Sequence, residues 1–229
     1  MKAKPAAPKL VGFDIDDTLV DFRAMLRAAL DTVGRELERT LGTRLSADDL
    51  QALREASAAV PAIAAAGLEA VRRESFRQAI TRLGGNPDEH VDSIWQSFLE
   101  ARRPQDHLYP EVTDALRRLH AGGIRLIAAS NGNTPLRETD ISAYFEIVLF
   151  AGEIGFRKPE LGFFWELARR SGTDPEEILY VGDSLLVDYL PAMKSGMSAR
   201  LLCRHEALRP AGVETIASLG DLPSLWNEA

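Results

Sequence analysis

The chain has 229 residues, 45% hydrophobic and 27% charged, and its 27 basic and 34 acidic residues leave a net charge of -7. That is room for a large core and one or two domains, and the lack of a long basic stripe argues against a nucleic-acid polymer as partner. Cys203 is the only cysteine, which excludes an intrachain disulfide and a cysteine-held zinc and fits a cytoplasmic protein. The basic opening "MKAKPAAPK" has no apolar stretch behind it and reads as a loose tail, not a signal peptide. No run approaches the roughly 18 apolar residues of a membrane span.

The first element is a short apolar run, "KLVGFD" (9–14), which reads as a buried strand. The pattern then turns helical. "FRAMLRAALDTVGRELERTL" carries apolar residues at helical spacing, and "SADDLQALREASAAVPAI" opens with Ser46 as a cap and is broken or bent at Pro61. "LEAVRRESFRQAITRLG" and "NPDEHVDSIWQSFLEAR" are two more helices, the second opened by Asn86 and Pro87. Beyond them, "PEVTDALRRLHAGG" is a helix, "IRLIAAS" a strand, "PLRETDISAYF" one helix and "EIVLF" a strand. "KPELGFFWELARRSG" is a helix, "EEILYVGD" a strand, "LLVDYLPAMKSGM" a helix and "SARLL" a strand.

Apolar strands alternating with helices predict an α/β fold, a parallel sheet covered on both faces. The helical block is far too long for a simple crossover. The expected organisation is therefore a Rossmann-like parallel sheet core over residues 1–20 and 105–229, with an inserted α-helical cap domain over residues 21–104. Asp21 marks the point where the chain leaves the core.

In open α/β sheets, ligands bind outside the carboxyl ends of the strands. The first strand ends in Asp14, with Asp16 and Thr18 just beyond; the second ends in Ser130 and Asn131; the fourth ends in Gly182, Asp183 and Ser184. Lys158 follows the third strand, and Asp188 lies one turn into the helix after the fourth. One lysine cannot balance three or four carboxylates. A hard divalent cation with oxygen ligands can, and magnesium is the natural choice. A carboxylate can attack phosphorus or an alkyl carbon, and a second one two residues on can protonate the leaving oxygen and then activate water. Ser130 and Asn131 can donate hydrogen bonds to phosphoryl oxygens, and Lys158 can hold transition-state charge.

Four motifs in this order, "DIDDT" (14–18), "SN" (130–131), Lys158 within "GFRKPE" and "GDSLLVD" (182–188), resemble the haloacid dehalogenase-like hydrolases with a helical cap inserted after the first strand. The resemblance runs over nearly the whole chain. It implies a magnesium-dependent phosphatase for a small phosphomonoester, of nucleotide or sugar phosphate type. It further implies Asp14 as the nucleophile and Asp16 as the general acid/base with its backbone carbonyl on the metal. Thr18 would orient the aspartate pair, Ser130 and the Asn131 amide would bind phosphate, and Lys158 would bind both nucleophile and phosphoryl group. Asp183 would be a direct metal ligand, and Asp188 an outer-shell acid fixing a metal-bound water or Lys158. One residue departs from the pattern: the third position of the first motif is often glycine in this family, and here it is Asp17.

Expulsion of a halide needs no proton, so Asp16 favours phosphate esters over 2-haloacids. Imine chemistry needs a cap lysine, and residues 21–104 contain none. A sugar phosphomutase shares the same core and stays open as an alternative, as does a catalytically silent binding protein. His90, His107, His120 and His205 are expected to be incidental, and Trp95 and Trp165 to pack helices. The small apolar stretch "SAAVPAIAAAG" (57–67) is expected to be close helix packing, with a specificity loop as the alternative. Among Arg23, Arg27, Arg72, Arg73 and Arg77, one is expected to reach an anionic or ring substituent. Neither a monomer nor a homodimer is selected.

Overall fold

The computed structural model describes residues 7–205, 207 and 209–226, so the expectation for the first six residues of the tail falls outside it. The chain divides into two compact units, residues 1–22 with 104–229, and residues 23–103.

The first unit is built on six parallel strands: β1 (Leu10–Phe13), β2 (Arg125–Ser130), β3 (Ile147–Phe150), β4 (Ile178–Gly182), β5 (Ser198–Leu202) and β6 (Thr215–Ile216). Their order is β3-β2-β1-β4-β5-β6, a doubly wound arrangement with β1 inside. Phe13 stands beside Ala128 of β2 and Val181 of β4, so the ends of the three strands emerge together. β1 and β4 are buried along their whole length, which is why both read as unbroken apolar runs. Gly12 is required by packing: a Cβ there would lie 2.9 Å from the Tyr180 ring. Phe163, Phe164, Leu167 and Tyr180 fill the core beside it, with Phe164 edge-on to Tyr180 at 5.1 Å. At the neck of this unit the outgoing and returning chain are joined by backbone bonds, Asp21 N to His107 O at 2.8 Å and Tyr109 N to Leu19 O at 3.1 Å.

The second unit holds α1 (Phe22–Leu41, from its second residue), α2 (Ala47–Ala58), α3 (Pro61–Ala65), α4 (Leu68–Arg82) and α5 (Pro87–Ala101). Leu30, Val33 and Leu37 recur at helical spacing on α1 and join Leu50, Phe76, Ile80, Ile94 and Phe98 in one core. Ser46 and Asp49 form a capping box at the start of α2, and the Asn86 side chain accepts from Asp88 N with Pro87 at the first helical position of α5. Trp95 is buried in this core, as expected.

In the first unit the remaining helices are α6 (Val112–Ala121), α7 (Ala151–Ile154), α8 (Leu161–Ser171) and α9 (Leu190–Lys194). Several local expectations are corrected. Residues 135–145 are not one helix but two short 3-10 turns, Leu136–Glu138 and Asp140–Tyr144. They are split at Thr139, which is extended and turns its hydroxyl back onto Leu136 O at 2.6 Å. The helix after β4 begins as a wide π turn over Leu185–Tyr189, with Leu190 N bonded to Leu185 O, before the α9 turn that contains Pro191. Proline has no N–H to continue the ordinary ladder. Trp165 is 53% exposed rather than packed, and none of the α3 residues within the 57–67 stretch is buried.

Phe76 is fully buried and touches both Trp95 and Phe98 edge to face or tilted. Phe76→Ala is expected to cost about 3–5 kcal/mol of stability in urea unfolding followed by circular dichroism. A loss below about 1 kcal/mol would contradict its place at the centre of that core.

Candidate active site

The site is assembled at the carboxyl ends of β1, β2 and β4, and its centre is one ammonium group. Lys158 Nζ donates to Asp14 Oδ1 at 2.5 Å, to Asp188 Oδ1 at 2.7 Å and to the Tyr180 hydroxyl at 3.2 Å. Both ion pairs are almost wholly buried. The Lys158 backbone is gripped as firmly. Asn131 Oδ1 accepts from Lys158 N at 2.7 Å, and Asn131 Nδ2 donates to Lys158 O at 2.8 Å. The Asn131 side chain is thus committed to placing the lysine, which leaves its backbone amide for a ligand.

Asp14 is anchored by its own backbone, which donates to Val181 O at 2.9 Å. Asp16 faces the other way. Its carboxylate accepts from Thr134 Oγ1 at 2.5 Å and from Ser130 Oγ at 3.0 Å, and Ser130 Oγ in turn accepts from Gly132 N at 2.8 Å. The Ser130 hydroxyl proton, expected to serve a phosphate, points at Asp16 here. A Cβ on Gly132 would stand 2.5 Å from Asp16 Oδ2, so any larger residue there would displace the Asp16 carboxylate.

Thr18 differs from expectation. It is fully buried, but its hydroxyl meets no hydrogen-bond partner, so it does not tie the two aspartates together through its side chain. Its backbone is what is held. Arg204, just beyond β5, donates to Asp17 O at 2.9 Å, to Thr18 O at 2.8 Å and to Glu111 at 2.9 Å, with its guanidinium 3.5 Å from the Tyr109 ring centre. Asp17 itself has φ +58°, the left-handed region. Glycine enters that region freely and aspartate is among the few side chains that tolerate it, which accounts for the departure at this position.

Negative charge exceeds positive charge in the site. Oxygens of Asp14, Asp183 and Asp188 lie within 4.8 Å of one another. Burial first, then Asp188 and Asp16, raises the Asp14 carboxyl well above its ordinary range, against the pull of Lys158. Burial, Asp188 and Asp17 push Asp183 up to about 6. Burial alone would lower the Lys158 ammonium, and Asp14, Tyr180 and Asp188 outweigh it, so its proton is held more tightly than usual. Asp188 also accepts from Ser184 N at 3.1 Å, which fixes it beside the lysine. Three clustered carboxylates sharing one ammonium suit an oxygen-seeking divalent cation.

All eight residues singled out by sequence therefore lie at this end of the sheet. Thr134, Gly132, Tyr180 and Arg204 were missed. Thr134 and Gly132 lie inside the "SNGNT" stretch, and a buried strand tyrosine needs a partner for its hydroxyl, which is the signal Tyr180 carries. Arg204 has no local signal.

The chain belongs to the haloacid dehalogenase-like hydrolases, whose family model matches residues 8–196. It is 32% identical to a phosphoserine phosphatase of Thermus thermophilus, with 95% of this chain and 98% of that one covered. It is 28% identical to a glyceraldehyde 3-phosphate phosphatase of Methanothermobacter thermautotrophicus over 85% of each chain. Among solved structures, a 2-haloacid dehalogenase from Pseudomonas syringae superposes with a TM-score of 0.77 at 27% identity, covering 95% of this chain and 97% of that one.

Lys158→Met would leave Asp14 and Asp188 buried without their counter-ion. A loss of about 3–5 kcal/mol is expected in denaturant unfolding at neutral pH. An unchanged midpoint would show that the buried ion pairs are not formed.

Proposed function

We propose that the chain is a magnesium-dependent phosphatase that hydrolyses a small phosphomonoester through an aspartyl-phosphate on Asp14. The observation that carries this is Asp16: a carboxylate held by two hydroxyls, two residues from Asp14, where a proton can pass to a leaving oxygen. The relatives named as phosphatases of phosphoserine and glyceraldehyde 3-phosphate support a small ester of this kind. We take the site of action as cytoplasmic; no helix among the described residues is long and apolar enough to cross a membrane.

Asp14 attacks phosphorus, and the bond from phosphorus to the leaving oxygen breaks as Asp16 gives that oxygen its proton. Asp16, now ionised, takes a proton from water, which attacks phosphorus and releases phosphate from Asp14. Lys158 keeps Asp14 placed and offsets phosphoryl charge, and Ser130 with the Asn131 amide receives the phosphoryl oxygens. Asp188 and the Asn131 side chain fix the lysine at both ends. The carboxylates of Asp14 and Asp183 and the backbone carbonyl of Asp16 would hold magnesium, which supplies positive charge against the phosphoryl group. The helical unit, in this reading, is a cap domain of the family's kind.

A 2-haloacid dehalogenase is the second reading, favoured by the structural likeness to the Pseudomonas syringae enzyme. It leaves Asp16 without a task, because halide departs unprotonated. The test is a panel of small phosphate esters and 2-haloacids, with and without magnesium. Magnesium-dependent phosphate release, abolished in Asp14→Asn, is expected; chloride release from a 2-haloacid without added metal would overturn the phosphatase reading. Within that assay, Thr134→Val is expected to lower kcat about tenfold while Thr134→Ser retains most of it, since a hydrogen bond to a charged group is worth about 1.5–3 kcal/mol.

A further inference from the structure

The helical unit contains a second concentration of charge, of the opposite sign. Arg72 on α4 is only 8% exposed, and so is Arg102, just past α5. Both guanidinium groups stand over the same ring, Phe98, at 5.4 Å and 5.5 Å from its centre. Arg54 of α2 and Arg102 both add positive charge around Arg72. Burial, aggravated by these two, lowers the Arg72 guanidinium to about 10.

The hydrogen bonds of Arg72 do not resolve this. Its Nη2 donates to Gln51 Oε1 at 3.1 Å, while its Nη1 is buried with no partner. Gln51 Nε2 in turn donates to Glu55 Oε1 at 3.2 Å, which links that carboxylate to Arg72 through a neutral relay. Nearby acids of the unit are paired to other arginines: Asp92 to Arg73 and Asp88 to Arg77. A ring face offsets part of the cost of a buried cation, but it cannot satisfy an in-plane N–H. A buried guanidinium donor without an acceptor, beside two like charges, is among the least favourable arrangements a core can hold. It becomes favourable when an oxyanion supplies both the charge and the acceptor atoms.

We propose that Arg72, Arg54 and Arg102 form a binding site for a small oxyanion, a carboxylate or phosphate group, within the helical unit. Arg72 supplies the unpaired in-plane donor, Phe98 keeps the guanidinium planes in place, and Gln51 fixes the rotation of Arg72. The site stands whether or not Asp14 forms a phosphoenzyme. The oxyanion has two possible sources: a second anionic group on the substrate, or a free small anion acting as a ligand in its own right.

The probe is sulfate, titrated into the full-length, metal-free Asp14→Asn chain at ionic strength matched with sodium chloride. The readout is the side-chain Nε–H resonances of the arginines, with that of Arg72 assigned by its loss in Arg72→Gln. A saturable shift of the Arg72 signal is expected, with an apparent affinity at least about tenfold weaker in Arg54→Gln. Arg54 is only half-buried, so this variant serves even if Arg72→Gln fails to fold. An Arg72 signal that moves no more with sulfate than with chloride overturns the proposal. A second arm finds the source. If Arg54→Gln lowers kcat/KM about tenfold more for a phosphate ester bearing a carboxylate than for an uncharged alkyl ester, the oxyanion belongs to the substrate. If both esters respond alike while sulfate binding is weakened, it is a free anion.

Discussion

A single buried ammonium, Lys158 Nζ, organises the sheet unit's functional end. Burying it is costly, and it is tolerated because two carboxylates and a phenol surround it while an asparagine side chain holds its backbone at both polar atoms. Those partners come from β1, β4, the turn after β4 and the end of β2. They meet only because β1 lies between β2 and β4 in a parallel sheet, so that three strand ends face one crevice. The chemistry thus depends on the topology, and the topology depends on buried strands such as β1 whose central residue must be glycine to admit the Tyr180 ring.

The second constraint is excess negative charge. Lys158 neutralises part of it, while burial first and the neighbouring carboxylates second raise the carboxyls of Asp14 and Asp183. The loop that carries Asp14 and Asp16 is kept from relaxing away from this repulsion by its backbone. Asp17 takes the left-handed conformation, and Arg204 ties the carbonyls of Asp17 and Thr18 to Glu111 and Tyr109. The loop is therefore set up to hold carboxylates close together, an arrangement whose natural completion is a divalent cation.

Much of the fold was legible because its physics is local. β1 and β4 are apolar runs of strand length, and α2 and α5 begin at capping residues that identify themselves. What escaped depends on competing local bonds. Thr139 interrupts a helical pattern by bonding its own backbone turn, Pro191 opens the ladder after β4, and β6 is two residues long. In the site, the acids, Ser130, Asn131 and Lys158 were legible from residue type and order. Thr134 and Arg204 were not, because neither belongs to the four motifs and only the folded chain shows what their side chains bond. Thr18 shows the converse: a residue in the right place whose hydroxyl is not where the motif suggested.

Two features of charge thus set the two units apart: carboxylates that outnumber their cation at the sheet edge, and a buried Arg72 nitrogen that lacks an acceptor among the helices. The first carries the central proposal, that Asp14 is the nucleophile in a covalent step. Rapid acid quenching during turnover of a phosphate ester, followed by peptide mass analysis, tests it most directly. The account predicts one phosphoryl group on the peptide containing Asp14, accumulating before steady state and disappearing as substrate is exhausted. Steady phosphate release with that peptide unmodified at every time point would contradict it.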